Sequence, residues 1–209
     1  VMLLIVMLDS PYLRRVAISL ECLGIPFGLE PISVFSTYEE FQRINPVVKA
    51  PTLVCDDGEV LMDSSLILQF VEATRTGGDS LWSLGDATRM QHEMRAVSLA
   101  LAACEKSAQI VYERKLRPSS AQYEPWVQRV QGQLLEAYAG LEREVQTRQP
   151  VFAEPRRQAS ITAAVVWQFT QSMLAPIVVA ENYPGLVALS ARMERTPEFL
   201  KYSPVGPGV

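Results

Sequence analysis

The chain is poor in the residues from which metal sites and redox frameworks are built. It has one histidine, His92, and three cysteines, Cys22, Cys55 and Cys104. A lone imidazole argues against a histidine-ligated metal or a histidine-based triad, so no metal is expected. An odd number of cysteines without paired spacing makes no disulfide framework and reads as reduced thiols of a cytoplasmic protein. Basic tracts are also missing. The 19 Lys and Arg are outnumbered by 23 Asp and Glu, for a net charge of −4. That argues against nucleic acid as a partner, since phosphate binding needs clustered cations. No apolar run approaches the roughly 20 residues of a membrane-spanning helix, so no membrane partner is expected. Residues 1–8 are apolar, but they carry no basic flank and no small-residue cleavage site, and they run straight into a helix cap.

What is present divides into two textures. At 209 residues, 48% hydrophobic and 20% charged, the chain suits one large domain or two small ones. Residues 1–8 do not alternate, as befits a strand covered on both faces. Ser10 then caps a helix with Pro11 in its first turn, where proline's missing N–H had no partner to lose. Leu13, Val16, Ala17, Leu20 and Leu23 recur at helical spacing until Gly24 and Pro26 stop the helix. Residues 27–32 read as a second strand, and strand–helix–strand implies a right-handed crossover. A short helix at 38–44 is halted by Asn45-Pro46. Residues 51–55 read as a strand opening on its proline. Asp56-Asp57-Gly58-Glu59 is a turn, and Val60-Leu61-Met62 a return strand. Asp63-Ser64 cap a helix whose stripe is Leu66, Ile67, Phe70 and Val71, and Gly77-Gly78 closes the unit.

Beyond about residue 86 strand signals vanish. Met90, Met94, Val97, Leu101, Cys104, Ala108 and Val111 step by threes and fours. Trp126, Val130, Leu134, Tyr138, Leu141 and Val145 do nearly the same. These are two long amphipathic helices packed antiparallel around a loop at 117–122. Residues 161–173 are apolar on most sides and read as a buried central helix, and Pro184 and Pro197 mark two further helix starts. The predicted fold is α/β plus all-α: a βαβαββα domain at 1–77 and an all-helical domain at 87–209.

A small βαβ-ββα unit followed by helices resembles the cytosolic glutathione transferases, and three local motifs carry the likeness. Ser10-Pro11-Tyr12-Leu13-Arg14-Arg15-Val16 is similar to the serine-type, tau-like active-site segment. Asn45-Pro46-Val47-Val48-Lys49-Ala50-Pro51-Thr52-Leu53 resembles the approach to that family's cis-proline. Asp63-Ser64-Ser65-Leu66-Ile67 resembles its acidic-serine motif. The resemblance implies a thioredoxin-like glutathione-binding domain and a helical domain that shapes a pocket for a small apolar electrophile. It also implies a homodimer, glutathione as co-substrate, no cofactor, and a role in detoxification.

By the same resemblance each motif takes a role. Ser10 donates a hydrogen bond to the glutathione sulfur and favours its thiolate, the good nucleophile. Ala50, turned by a cis bond to Pro51, pairs its backbone with the cysteinyl residue. Ser64 meets the γ-glutamyl carboxylate, Asp63 the ammonium of that residue, and Lys49 the glycyl carboxylate. Tyr12, Met94, Tyr112 and Trp167 are candidates for the electrophile pocket, although such residues at helical spacing more often form core. Arg14 and Arg15 read as surface or inter-domain charges, His92 as a surface residue and Cys104 as a packed thiol.

Two departures from the family pattern stand out. Glu39-Glu40 occupy the place of a tau-like lysine. The buried helix, opening at Ser160, has Ala163 where a capping-box aspartate is usual, a loss of about 1 kcal/mol. The alternative is a non-catalytic binding or regulatory protein of the same fold, in stress response. A glutathione-dependent isomerase or dehalogenase shares the same thiol site, though the isomerase's double-serine-cysteine signature is absent.

Overall fold

The computed structural model describes residues 1–5 and 7–206. Strands β1 (Met2–Ile5), β2 (Phe27–Glu30), β3 (Thr52–Val54) and β4 (Val60–Met62) form one sheet in the order β2-β1-β3-β4. β1 and β2 are parallel, which requires a crossover, and α1 (Pro11–Cys22) supplies it. β3 runs antiparallel to both β1 and β4. Helices α2 (Tyr38–Ile44) and α3 (Ser64–Thr74) complete the expected βαβαββα order of a thioredoxin-like domain.

The strands are shorter than the apolar runs that announce them. β1 ends at Ile5, and the Ser10 N–H donates to the Met7 carbonyl at 2.8 Å in the turn that leads to α1. Register then decides where the site residues go. Ile5 lies opposite Glu30 on one side and Thr52 on the other, and Thr52 lies opposite Met62. That row holds the last residues of β1, β2 and β4 and the first of β3. The segments around Ser10, Pro51 and Asp63 therefore emerge at the same end of the sheet.

Ile5, Ile32 and Phe41 form a buried cluster against which Val48, Ala50 and Val54 pack. α1 and α3 pack together, and Leu13 and Val16 of α1 and Ile67 and Val71 of α3 are buried. Each such aliphatic side chain contributes about 1.5–3 kcal/mol when fully buried.

The chain divides into two compact units, Val1–Leu81 with Pro197–Gly208, and Trp82–Thr196. The second holds α4 (Ala87–Lys115), α5 (Glu124–Thr147), α6 (Gln149–Phe152), α7 (Gln158–Leu174) and α8 (Pro184–Met193). α9 (Pro197–Lys201), which periodicity groups with 87–209, packs against α1 in the first unit.

The helical seams differ in detail from the large-residue stripes. α4 packs against both α5 and α7, and buries Ala96, Ala100, Ala103 and Cys104, while Met94 is exposed. Small residues set that seam because two neighbours must approach one helix. Gly140 of α5 shows how close they come: a Cβ there would meet the Leu99 side chain at 3.0 Å. α7 begins at Gln158 and not at Ser160, whose hydroxyl instead donates to the Glu154 carbonyl at 2.9 Å. Its interior is apolar on nearly every side, as expected of a central helix. Among the described residues no helix is long and apolar enough to cross a membrane.

Candidate functional site

Ser10 is the N-cap of α1, with extended backbone (φ −76°, ψ 121°). Its carbonyl accepts the Arg14 N–H at 2.9 Å, yet its hydroxyl makes no capping hydrogen bond. The side chain is half-buried at a positive helix end, and among the described residues its donor is uncommitted.

The segment approaching β3 is held by Asn45, which is buried. The Asn45 side-chain amide donates to Thr52 Oγ1 at 2.9 Å, and its Oδ1 accepts the Val47 N–H at 3.0 Å. Thr52 Oγ1 in turn donates to the Lys49 carbonyl at 2.6 Å. Val48 sits at φ 53°, a genuine outlier for a β-branched residue. The Ala50–Pro51 bond is cis, as the motif implies. Asn45 reads from sequence only as a helix stop. The signal for its second task is its place six residues before the proline, in a loop that needs internal hydrogen bonds.

Asp63 caps α3 at φ 77°, and its Oδ1 accepts the Ser65 and Leu66 N–H groups at 2.9 and 3.3 Å. A non-glycine residue held there costs of order 1–3 kcal/mol, a kind of strain that clusters at ligand clamps. With those two N–H groups occupied, the Ser64 N–H is the donor left without a partner at this turn among the described residues. Lys49 Nζ stands 3.8 Å from Asp63 Oδ2, with both side chains about half exposed (51% and 44%). An exposed pair of this kind is worth at most about 1 kcal/mol and leaves both charges free to meet a zwitterionic ligand.

Arg14 and Arg15, expected as surface or inter-domain charges, are 1% and 2% exposed, which corrects the surface half of that expectation. Arg15 Nη1 donates to Ser64 Oγ at 3.1 Å and to Ser65 Oγ at 3.0 Å. With Ser64 Oγ accepting from the guanidinium, that hydroxyl keeps its own proton for another acceptor. Charge type alone predicted exposure here. The available signal was position, because Arg15 directly precedes the buried stripe residue Val16 on the side of α1 that meets α3.

The four electrophile-pocket candidates do not form one cluster. Tyr12 is half-buried on α1 in the first unit. Trp167 is core, packed edge-on to Tyr138 at 5.4 Å and to Tyr183 at 5.7 Å. Met94 lines a groove with His92, Arg95 and Arg148, and Tyr112 lines another with Leu116, Pro118 and Trp126. Those two stand about 27 Å apart along α4 at about 1.5 Å rise per residue. Cys104 is buried, as expected. Burial, with Asp57, Glu59 and Asp56 nearby, pushes the Cys55 thiol up and away from reactivity.

The sheet order, the cis-proline opening β3 and the helices that follow make a fold shared with solved glutathione transferases. Residues 4–78 match the family described as glutathione S-transferase, N-terminal domain. No curated protein sequence matches the chain. Among solved structures it is similar to a glutathione S-transferase from Methylobacillus flagellatus KT with glutathione bound, at TM-score 0.87 and 22% identity over 98% of this chain and 100% of that one. It is also similar to one from Methylobacterium radiotolerans in complex with glutathione sulfonate, at TM-score 0.85 and 24% identity over 100% and 97%. A glutathione transferase family member from Pseudomonas fluorescens Pf-5, with bound S-(propanoic acid)-glutathione, gives TM-score 0.81 and 23% identity over the full length of both chains.

Proposed function

We propose that this chain is a glutathione S-transferase: it binds glutathione at the sheet end described above and joins its sulfur to a small electrophile. The observation that carries the reading is the convergence of three independent motifs at one end of the sheet. Ser10, the cis Ala50–Pro51 bond and the Asp63–Ser64 helix start are far apart in sequence, and each adjoins a strand residue of one register row. The ligands named for the three similar structures support the same reading.

In this reading Ser64 takes the γ-glutamyl carboxylate through its N–H and its hydroxyl, and Asp63 meets the ammonium. The Ala50 backbone pairs with the cysteinyl residue, and Lys49 faces the glycyl carboxylate. The Ser10 hydroxyl donates to the sulfur. A hydrogen bond to a charged group is worth about 1.5–3 kcal/mol, which lowers a thiol pKa from about 8.5 by about 1–2 units. The start of α1 adds up to about 1 kcal/mol in the same direction. The thiol proton leaves to solvent. The thiolate then attacks carbon, a C–S bond forms, and the leaving group departs with its electron pair or the double bond is saturated. The homodimer and the cytoplasmic role in detoxification belong to the same reading. Sedimentation of the purified protein tests the dimer.

The deciding experiment follows thiolate absorbance during glutathione titration of wild type and Ser10→Ala. The expected result is a depressed thiol pKa in wild type that rises by about 1–2 units in the variant, with kcat about tenfold to a hundredfold lower. No binding at millimolar glutathione overturns the reading. Binding with an unshifted thiol turns the assignment to a glutathione-carrying regulatory protein.

A further inference from the structure

Arg14 has no part in the chemistry above, yet it is buried one turn from Ser10, and its surroundings come from the far end of the chain. Its N–H bonds the Ser10 carbonyl at 2.9 Å, and its side-chain Nε donates to the Tyr202 carbonyl at 2.7 Å. The guanidinium lies 5.1 Å from the centre of the Phe199 ring. Phe199 and Tyr202 are themselves buried, and the Tyr202 ring stacks on Phe27 at 5.8 Å. At the other end of α1, Glu21 accepts from Lys201 Nζ at 2.8 Å and from the Tyr202 hydroxyl at 2.9 Å. The segment then continues to the residue before Ser10. Gly206 lies so close to Asp9 that a Cβ on it would fall 2.3 Å from Asp9 Oδ1. A larger residue there displaces that carboxylate.

We propose that residues 197–206 are a positioning strap for Ser10: Arg14 ties them to the first turn of α1, and Gly206 seats them against Asp9. The strap acts on the sulfur only through α1. It fixes the backbone on either side of Ser10, and so the direction in which the hydroxyl donates. This inference rests on the transferase reading for its catalytic consequence, and on the structure alone for its mechanical one.

The test uses full-length protein carrying Gly206→Val, with Arg14→Lys as a second variant. Gly206→Val adds bulk at an exposed position near the end of the described chain, where global stability is least at stake. Amide hydrogen exchange of Ser10 and Arg14 is the mechanical readout, and both N–H groups are bonded in the turn that the strap holds. The expected result is at least about tenfold faster exchange at both amides in Gly206→Val, without faster exchange in α3. The catalytic readout is the thiol pKa of bound glutathione, together with the split between kcat and KM. The expected result is a rise of about one unit and a kcat about tenfold lower, with the KM for glutathione within about twofold. A merely structural role lowers stability and raises KM without moving the thiol pKa. Unchanged exchange and unchanged thiol pKa in Gly206→Val overturn the strap. A wild type with no thiol shift overturns the transferase reading instead, and the exchange data then judge the strap by themselves.

Discussion

At the scale of single residues, the two arginines after Leu13 show how a helix with an ordinary-looking charged start becomes the pivot of a site. Arg15 is worth more than a surface cation because its partners are the hydroxyls of the α3 start. Arg15→Gln removes a buried charge-assisted donor, and such bonds contribute about 1.5–3 kcal/mol. We expect the KM for glutathione to rise about tenfold in Arg15→Gln while kcat changes less, measured by steady-state kinetics at saturating electrophile. A Ser10→Ala enzyme should show the opposite split. The residues legible in the sequence were those whose local chemistry announces them: Ser10 before a proline, Pro51 at a strand start, Asp63-Ser64 before an apolar stripe. Arg14, Arg15 and Asn45 were not legible, because their burial depends on what distant segments bring against them.

At the scale of elements, boundaries set by caps and prolines were read to the residue: α2 and β4 fall where the Asn45-Pro46 stop and the Asp56–Glu59 turn place them. The seams of α4 and α5 were read less well. Periodicity finds the face but weighs large residues over small, so it pointed to Met94 and Trp126, which are exposed, and passed over Ala100 and Gly140, which are buried. One coupling between elements was invisible to any local reading. Glu142 of α5 is buried, and its carboxylate accepts the Gly185 and Leu186 N–H groups at 2.7 and 2.9 Å, capping α8 from another helix. A Cβ at position 185 would lie 2.8 Å from Glu142 Oε1. Gly185→Ala therefore pushes the cap away, and we expect it to destabilise the protein by about 1–3 kcal/mol in denaturant unfolding. Helix propensity alone predicts the reverse sign, since alanine is favoured over glycine by about 1 kcal/mol.

At the scale of the whole molecule, the first compact unit is discontinuous, built from the opening 81 residues and the segment from Pro197. One consequence is a dependence on acidity. The hydrogen bond from Lys201 holds the Glu21 carboxyl below the usual carboxylate range, against the opposing effect of burial and with help from the Tyr202 hydroxyl. A carboxyl depressed in the folded state stabilises it above the unfolded value, about 4.3, and loses that contribution as pH falls through the lower folded value. We expect α9 amides to exchange faster, relative to the rest of the first unit, as pH drops from about 5.5 to 3, and Glu21→Gln to remove that dependence. The pair is exposed, so the effect is modest. A second consequence concerns fragments. Residues 1–81 expressed alone lack the carbonyl and ring that surround Arg14. Circular dichroism should show them less stable than the same fragment mixed with a peptide of residues 197–209.

During synthesis on the ribosome the same discontinuity imposes a wait. Translation proceeds at about 5–20 residues per second, so α1 stays without its outer cover for on the order of ten seconds after the sheet has emerged. Through that interval the nascent chain carries an uncapped arginine and an exposed apolar flank. The sheet end that carries Ser10, though made before the helical unit, is finished only after that unit has passed through the exit tunnel.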